Sequence, residues 1–229
     1  MNDGLRVAAS ALRYWEFRHQ VLANNLANAE TVGFKGQRVF ARLLEGRAPE
    51  AEAATDRTAG TLDPTGRHLD VAIEGEGYLV VWTPGGERWT RGGSLRIDDA
   101  GRLVDMSGNP VLSDRGQLVL PPGTVEIDRT GMVTVDGVEY GRLRLERPVE
   151  DVELERQGAG LYVPADARVR VPEDERRIHQ GHLERSNVDP IASLVEMITI
   201  QRSHAAVERS IRVIDGVMST ISNDIGKVS

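Results

Sequence analysis

The spacing that first suggests chemistry is His179-Gln180-Gly181-His182. Two imidazoles three residues apart share one face of a helix and can ligate one metal ion there. Gly181 stands between them, no helix pattern surrounds them, and no third ligand falls at a matching spacing. A loop without a metal is the expectation. His19 lies on an apolar stripe and reads as a hydrogen-bonded structural histidine. The chain has 35 carboxylates, but most sit in turns or beside arginines, and no spacing joins a nucleophile to a base, as an active site requires. Gly75-Glu76-Gly77 precedes neither a helix nor a GK[ST] run, so it is no phosphate cradle. Asp98-Asp99-Ala100-Gly101 and Asp128-Arg129-Thr130-Gly131 echo each other thirty residues apart. They supply too few oxygens for calcium and suit hairpin turns. No catalytic, cofactor-binding or metal-ligating residue is therefore expected, and no cofactor; the protein reads as a non-enzyme.

A formal net charge of −7 opposes binding to nucleic acid, whose phosphates need a basic footprint. Cysteine is absent, so disulfide and thiolate chemistry are excluded. The apolar run Ile191–Ile200 is interrupted by Ser193, Glu196 and Thr199, too short and polar to span a bilayer. No direct membrane insertion is expected. Leu5–Leu12 lacks the continuous apolar core of a cleavable signal.

The elements that must carry any function lie at the two ends. Leu5, Ala8, Leu12, Trp15, His19, Leu22 and Leu26 recur at steps of three and four, the a/d seam of a helix that packs on another. Ile200, Val207, Ile214 and Ile221 fall seven apart, accompanied by Met197, His204, Ile211, Met218 and Ile225. Asp189 as N-cap and Pro190 at the first helical position start the second helix. Between the ends the period becomes two. Leu69, Val71 and Ile73 alternate, Tyr78–Trp82 is a strand, and turn signals recur at Pro84-Gly85-Gly86, Gly92-Gly93, Ser107-Gly108-Asn109-Pro110, Pro122-Gly123 and Asp136-Gly137. The fold class expected is α+β: long N- and C-terminal helices pairing as a coiled coil, with an antiparallel β domain between them. Residues 1–36 and 183–229 would form the assembly domain, 37–68 a linker or extended arm, and 69–182 the β-rich domain.

Ala23-Asn24-Asn25-Leu26-Ala27-Asn28-Ala29-Glu30-Thr31-Val32-Gly33-Phe34-Lys35 closely resembles the N-terminal signature of the bacterial flagellar rod and hook proteins. Leu69-Asp70-Val71-Ala72-Ile73-Glu74-Gly75-Glu76-Gly77-Tyr78 resembles the opening of that family's β domain. Gly181–Pro190, then Glu196-Met197-Ile198 and Gln201-Arg202, resemble its C-terminal signature. The chain departs at Ser203-His204-Ala205, where the family has an aromatic and then Glu. The resemblance covers about half the chain and is closer to rod than to hook proteins, nearest the proximal rod member adjoining the distal rod, with the distal rod member second.

The resemblance implies a structural subunit of the flagellar basal-body rod that polymerises helically through its terminal helices into part of the drive shaft. Its partners would be other copies of itself, neighbouring rod proteins and the flagellar type III export apparatus. It would lie in the cell envelope, across the periplasm, after export without a cleavable signal. A distal rod or hook-type subunit is the alternative within the family, and a generic coiled-coil adaptor the alternative outside it. The assembly interface expected comprises Leu5, Leu12, Trp15, Leu22, Asn24, Asn25, Leu26, Asn28, Gly33 and Phe34 at one end. At the other it comprises Ser186, Asn187, Val188, Met197, Ile200, Val207, Ile211, Ile214, Met218 and Ile221.

Overall fold

The computed structural model describes residues 2–42, 50–150 and 152–226, with side chains described for 9–42, 51–150, 152–213 and Gly216. They form two compact units: residues 1–27, 37–54 and 188–229 make one, and residues 28–36 and 55–187 the other.

The first unit holds helix α1 (Asn2–Ala27), helix α2 (Pro190–Gly226), and strands β1 (Gln37–Arg42) and β2 (Glu50–Thr55), which pair as a two-stranded sheet. Asp189 caps α2 as its sequence suggests: Oδ1 accepts the backbone N–H groups of Ile191 at 2.8 Å and Ala192 at 3.1 Å. The helices meet through an Arg18–Glu196 ion pair and beside Trp15, His19, Ile200 and His204, which line a shallow groove of about 320 Å³.

The structure does not bear out the long paired coiled coil expected from the sequence: each end has one helix, and among the described side chains the two share no continuous apolar seam. In α2 only Ile200 and Ser193 are buried among the described side chains, while Met197, Val207 and Ile211 are half-buried. Ile191, Leu194, Val195, Ile198 and Val213 face outward. The reason is compositional. Knobs-into-holes packing needs both seam positions apolar and covered, whereas the half-buried face of α2 also presents Glu196, Ser203 and His204. Leu5, Ile214, Met218 and Ile221 of the expected seam lie outside the described side chains.

The second unit is β-rich. Its strands are β3 (Leu62–Pro64), β4 (Val71–Ile73), β5 (Tyr78–Thr83), β6 (Gly86–Thr90), β7 (Leu95–Ile97), β8 (Leu103–Asp105), β9 (Leu112–Ser113) and β10 (Gly116–Gln117). They continue as β11 (Val125–Ile127), β12 (Met132–Val135), β13 (Val138–Arg142), β14 (Leu145–Pro148), β15 (Arg156–Gly158), β16 (Leu161–Tyr162), β17 (Arg168–Arg170), β18 (Ile178–Gln180) and β19 (His182–Glu184). The largest sheet runs β15-β16-β6-β5-β14-β17, every pair antiparallel.

Strand β5 divides the core by its pleat. Leu79 and Val81 point into a cluster with Leu95, Leu103, Val133 and Leu143, while Tyr78 and Val80 point the other way, against Trp89, Leu154 and Tyr162. Tyr78 stacks on Trp89 with centroids 5.4 Å apart. The echoed turns are hairpin turns: Asp98 Oδ1 accepts the N–H groups of Ala100 and Arg102, and Asp128 Oδ1 those of Thr130 and Met132. A third copy, Asp105-Met106-Ser107-Gly108, bonds to Ser107 and Asn109 in the same way. The same Asp-x-x-Gly spacing would have revealed it in the sequence.

Candidate functional site

The Gly33-Phe34-Lys35 run leaves the end of α1 and enters the second unit. Gly33 adopts φ +66, a left-handed conformation that glycine takes without steric cost, and its N–H donates to Glu184 O at 2.7 Å. That turn carries Lys35 inward to 1% exposure. Its Nζ donates to Glu184 Oε1 at 2.5 Å and to Thr58 O at 2.7 Å. Arg91 closes the other side: Nη1 donates to Glu184 Oε2 at 3.2 Å and Ile73 O at 3.1 Å, and Nη2 to Gly75 O at 2.5 Å. Its guanidinium lies 5.3 Å from the Tyr78 ring centroid. Glu184, also 1% exposed, accepts a further bond from Gly60 N at 3.0 Å.

Two cations thus surround one buried carboxylate. Burial pushes the Lys35 ammonium below its ordinary pKa, and the hydrogen bond and charge of Glu184 oppose that shift. Beside the triad, Arg156 donates to Lys35 O and lies between the rings of Phe34, at 5.0 Å, and Tyr162, at 5.7 Å. Asn187 completes the knot. Its Oδ1 accepts Gly36 N at 2.7 Å, and its Nδ2 donates to Asp56 O at 2.8 Å and Thr58 O at 3.1 Å.

The residues expected at an assembly interface fall into two groups. Asn28, Gly33, Phe34, Ser186 and Asn187 belong to the second unit, where Gly33 and Phe34 are buried and the other three half-buried. Leu12, Trp15, Leu22, Asn24, Asn25, Leu26, Val188, Met197, Ile200, Val207 and Ile211 belong to the first. Leu22, Asn25 and Ile200 are buried and Asn24 is exposed. Asn25 ties the end of α1 to the start of β1: Nδ2 donates to Gln37 O at 2.8 Å and Oδ1 accepts Gln37 N at 2.9 Å. Leu5 lies in α1 and Ile214, Met218 and Ile221 in α2, outside the described side chains.

None of Lys35, Arg91, Arg156 and Glu184 was among the site residues expected from the sequence, although Lys35 and Glu184 lie inside the two terminal signatures. The available signal was that Lys35 is one of two lysines in the chain, among 28 basic residues. His179 and His182 occupy strands β18 and β19 on either side of Gly181 (φ +72), with ring centroids 5.8 Å apart. His179 Nε2 pairs with Glu74 Oε2 at 2.6 Å, and His182 Nδ1 lies 2.9 Å from Gln180 O. Among the described residues no group of three or more His, Asp or Glu could hold a metal ion. No helix of the described residues is long and apolar enough to cross a membrane.

Three family descriptions match separate parts of the chain. "Flagella basal body rod protein" matches residues 5–35, "Flagellar hook protein FlgE/F/G D1 domain" residues 72–135, and "Flagellar basal body rod FlgEFG protein C-terminal" residues 179–224. The chain is 33% identical to the flagellar basal-body rod protein FlgF of Caulobacter vibrioides, across 91% of this chain and 92% of that one. It is 32% identical to FlgF of Salmonella typhimurium, covering 88% and 90% of the two chains. It is 30% identical to the flagellar basal-body rod protein FlgG of Buchnera aphidicola subsp. Schizaphis graminum, covering 97% and 99%.

Proposed function

This chain belongs to the flagellar basal-body rod protein family, and we propose that it builds the rod by stacking copies of itself through the outward faces of its terminal helices. It is a structural subunit, not an enzyme, and its place is the basal body among other rod components. The finer reading is ours. Copies add head to tail as an open helical array, part of the drive shaft in the periplasm, after passage through the flagellar type III export apparatus. Heterologous contacts generate an open filament when the rotation between successive copies does not close a ring.

One observation carries the reading. Ile191, Leu194, Val195 and Ile198 follow the i, i+3, i+4, i+7 spacing of one helix face and are 76%, 48%, 60% and 50% exposed. A contiguous apolar stripe on a solvent-facing helix marks a surface that a partner covers. For a rod subunit that partner is the next subunit. The stripe is distinct from the Met197/Ile200/Val207/Ile211 face turned toward α1.

The test replaces Leu194 and Ile198 together by aspartate. Each is about half exposed, so the isolated subunit should keep its circular dichroism spectrum and melting temperature. Incorporation into basal bodies and swimming should be lost. A double variant that swims like the wild type would refute the proposal. Sedimentation of the purified wild type separates it from an adaptor: growing polymers fit a rod subunit, a discrete dimer or trimer does not.

A further inference from the structure

Burying two cations with one carboxylate leaves a net positive charge away from water, and well-packed apolar side chains of similar volume are often at least as stabilising as a buried ion pair. What charges give in return is geometry. Each N–H must meet a particular acceptor, and these acceptors come from separate stretches of chain: Thr58, Ile73, Gly75 and Glu184. The triad also sits where the chain leaves the β-rich unit. Lys35 is two residues before Gln37, where the first unit resumes, and Glu184 is four before Val188, where it resumes again. Gly33 N–H donates to Glu184 O, Gly36 N–H to Asn187 Oδ1, and Asn187 N–H to Phe34 O. The exits toward both terminal segments are therefore bonded to each other at one point.

We propose that Lys35, Arg91 and Glu184 are positioning residues for assembly: they hold both exits of the chain from the β-rich unit in one place, so that the terminal helices are presented to a neighbouring copy as a pair. This rests on the reading that the helices are the polymerising surfaces. It adds that a subunit whose core is folded but whose latch is open cannot be incorporated.

The chain contains its own reporter. Its only lysines are Lys35 and Lys227. A lysine-specific endoprotease must take the side chain into its pocket, and Lys35 is 1% exposed. Cutting between Lys35 and Gly36 therefore requires the latch to open first, and yields the pieces 1–35 and 36–229. Cutting at Lys227 removes only two residues. In the full-length wild type, cleavage after Lys35 should be slow under native conditions.

Glu184→Gln leaves both cations buried without their carboxylate. It should speed cleavage roughly a hundredfold or more, while Trp89 fluorescence still reports a folded core. The same variant should fail to restore swimming to cells lacking the wild-type protein. If Glu184→Gln does not fold, Arg91→Gln takes its place, because it adds no lysine for the protease. It removes the guanidinium bonds to Glu184 and to the Ile73 and Gly75 carbonyls, leaves the Lys35–Glu184 pair intact, and should give a smaller shift in both readouts. Cleavage no faster than wild type in the folded variant would show that the triad holds nothing shut. Fast cleavage with normal swimming would overturn the positioning role. Failure of the underlying reading looks different: the Leu194/Ile198 aspartate variant would swim, whatever the protease shows.

Discussion

Gly33→Ala separates the demands of backbone conformation from those of close packing. Gly33 has φ +66, and a Cβ built there would lie 2.4 Å from the Arg91 carbonyl oxygen and 2.5 Å from its carbon. An alanine at positive φ costs about 1–2 kcal/mol. Ordinary contact begins near 3.5 Å, so the loop must also retreat by about 1 Å. That movement breaks the Gly33 N–H bond to Glu184 O, now 2.7 Å, and leaves a buried amide at a cost of about 1–3 kcal/mol. The total expected is about 2–5 kcal/mol. Gly66 is the control, with φ +72 and nothing within 4 Å of its would-be Cβ. Gly66→Ala should cost only the conformational part, about 1–2 kcal/mol. Urea unfolding followed by tryptophan fluorescence measures both, since Trp89 is fully buried in the same unit. Equal losses of stability in the two variants would show that the approach of Gly33 to Arg91 carries no energetic weight, and the argument for the knot would fail with it.

Acid should destabilise the β-rich unit through four carboxylates held below their ordinary pKa. For Glu74 the first cause is the hydrogen bond from His179, for Glu87 that from Arg144, and for Asp98 the Arg102 backbone N–H; at Asp128 burial opposes the shift, and bonds from Thr130 and Met132 outweigh it. Their contribution is present above the unfolded pKa and disappears as pH falls through the folded values. The melting temperature should therefore drop progressively from about pH 5 toward pH 3, and a flat profile there would contradict the assignment. Ile200→Ala empties a 2% exposed site in α2 and should cost the first unit about 2–5 kcal/mol. In a Trp15→Phe background, which leaves tryptophan only in the second unit, reduced helical ellipticity with an unchanged tryptophan transition is the expected signature, and loss of both together would show that the units do not unfold separately. Metal analysis of the purified chain should find no stoichiometric ion, and one retained ion lost on replacing His179 and His182 would refute that. Residues 55–187 expressed alone lack the Lys35 segment but keep every strand from β3 to β19, and should unfold cooperatively as β structure; an unstructured fragment would make residues 28–36 essential to that core.

The sequence alone specified the features that depend on near neighbours. Asp189-Pro190 fixed the start of α2, because capping and the N1 position involve only the first helical turn. Asp-x-x-Gly fixed the tight turns, because a carboxylate reaching its own downstream amides needs no distant partner. The signature around Gly33-Phe34-Lys35 indicated the family, and the acidic, cysteine-free composition excluded other classes. The tertiary structure decided whatever depends on residues far apart in the chain. Lys35, Arg91 and Glu184 carry no shared spacing, and their pairing exists only because Gly33 turns the chain inward while β19 returns alongside. The apolar period in α2 was legible, but which of its faces meets α1 was not. A helix of 3.6 residues per turn carries Met197/Ile200 and Leu194/Ile198 on different sides, and periodicity says nothing of contacts across helices such as the Arg18–Glu196 pair. For the same reason the sequence overstated the coiled coil: it counts apolar repeats, whereas interlocking depends on what the opposite helix offers at each turn.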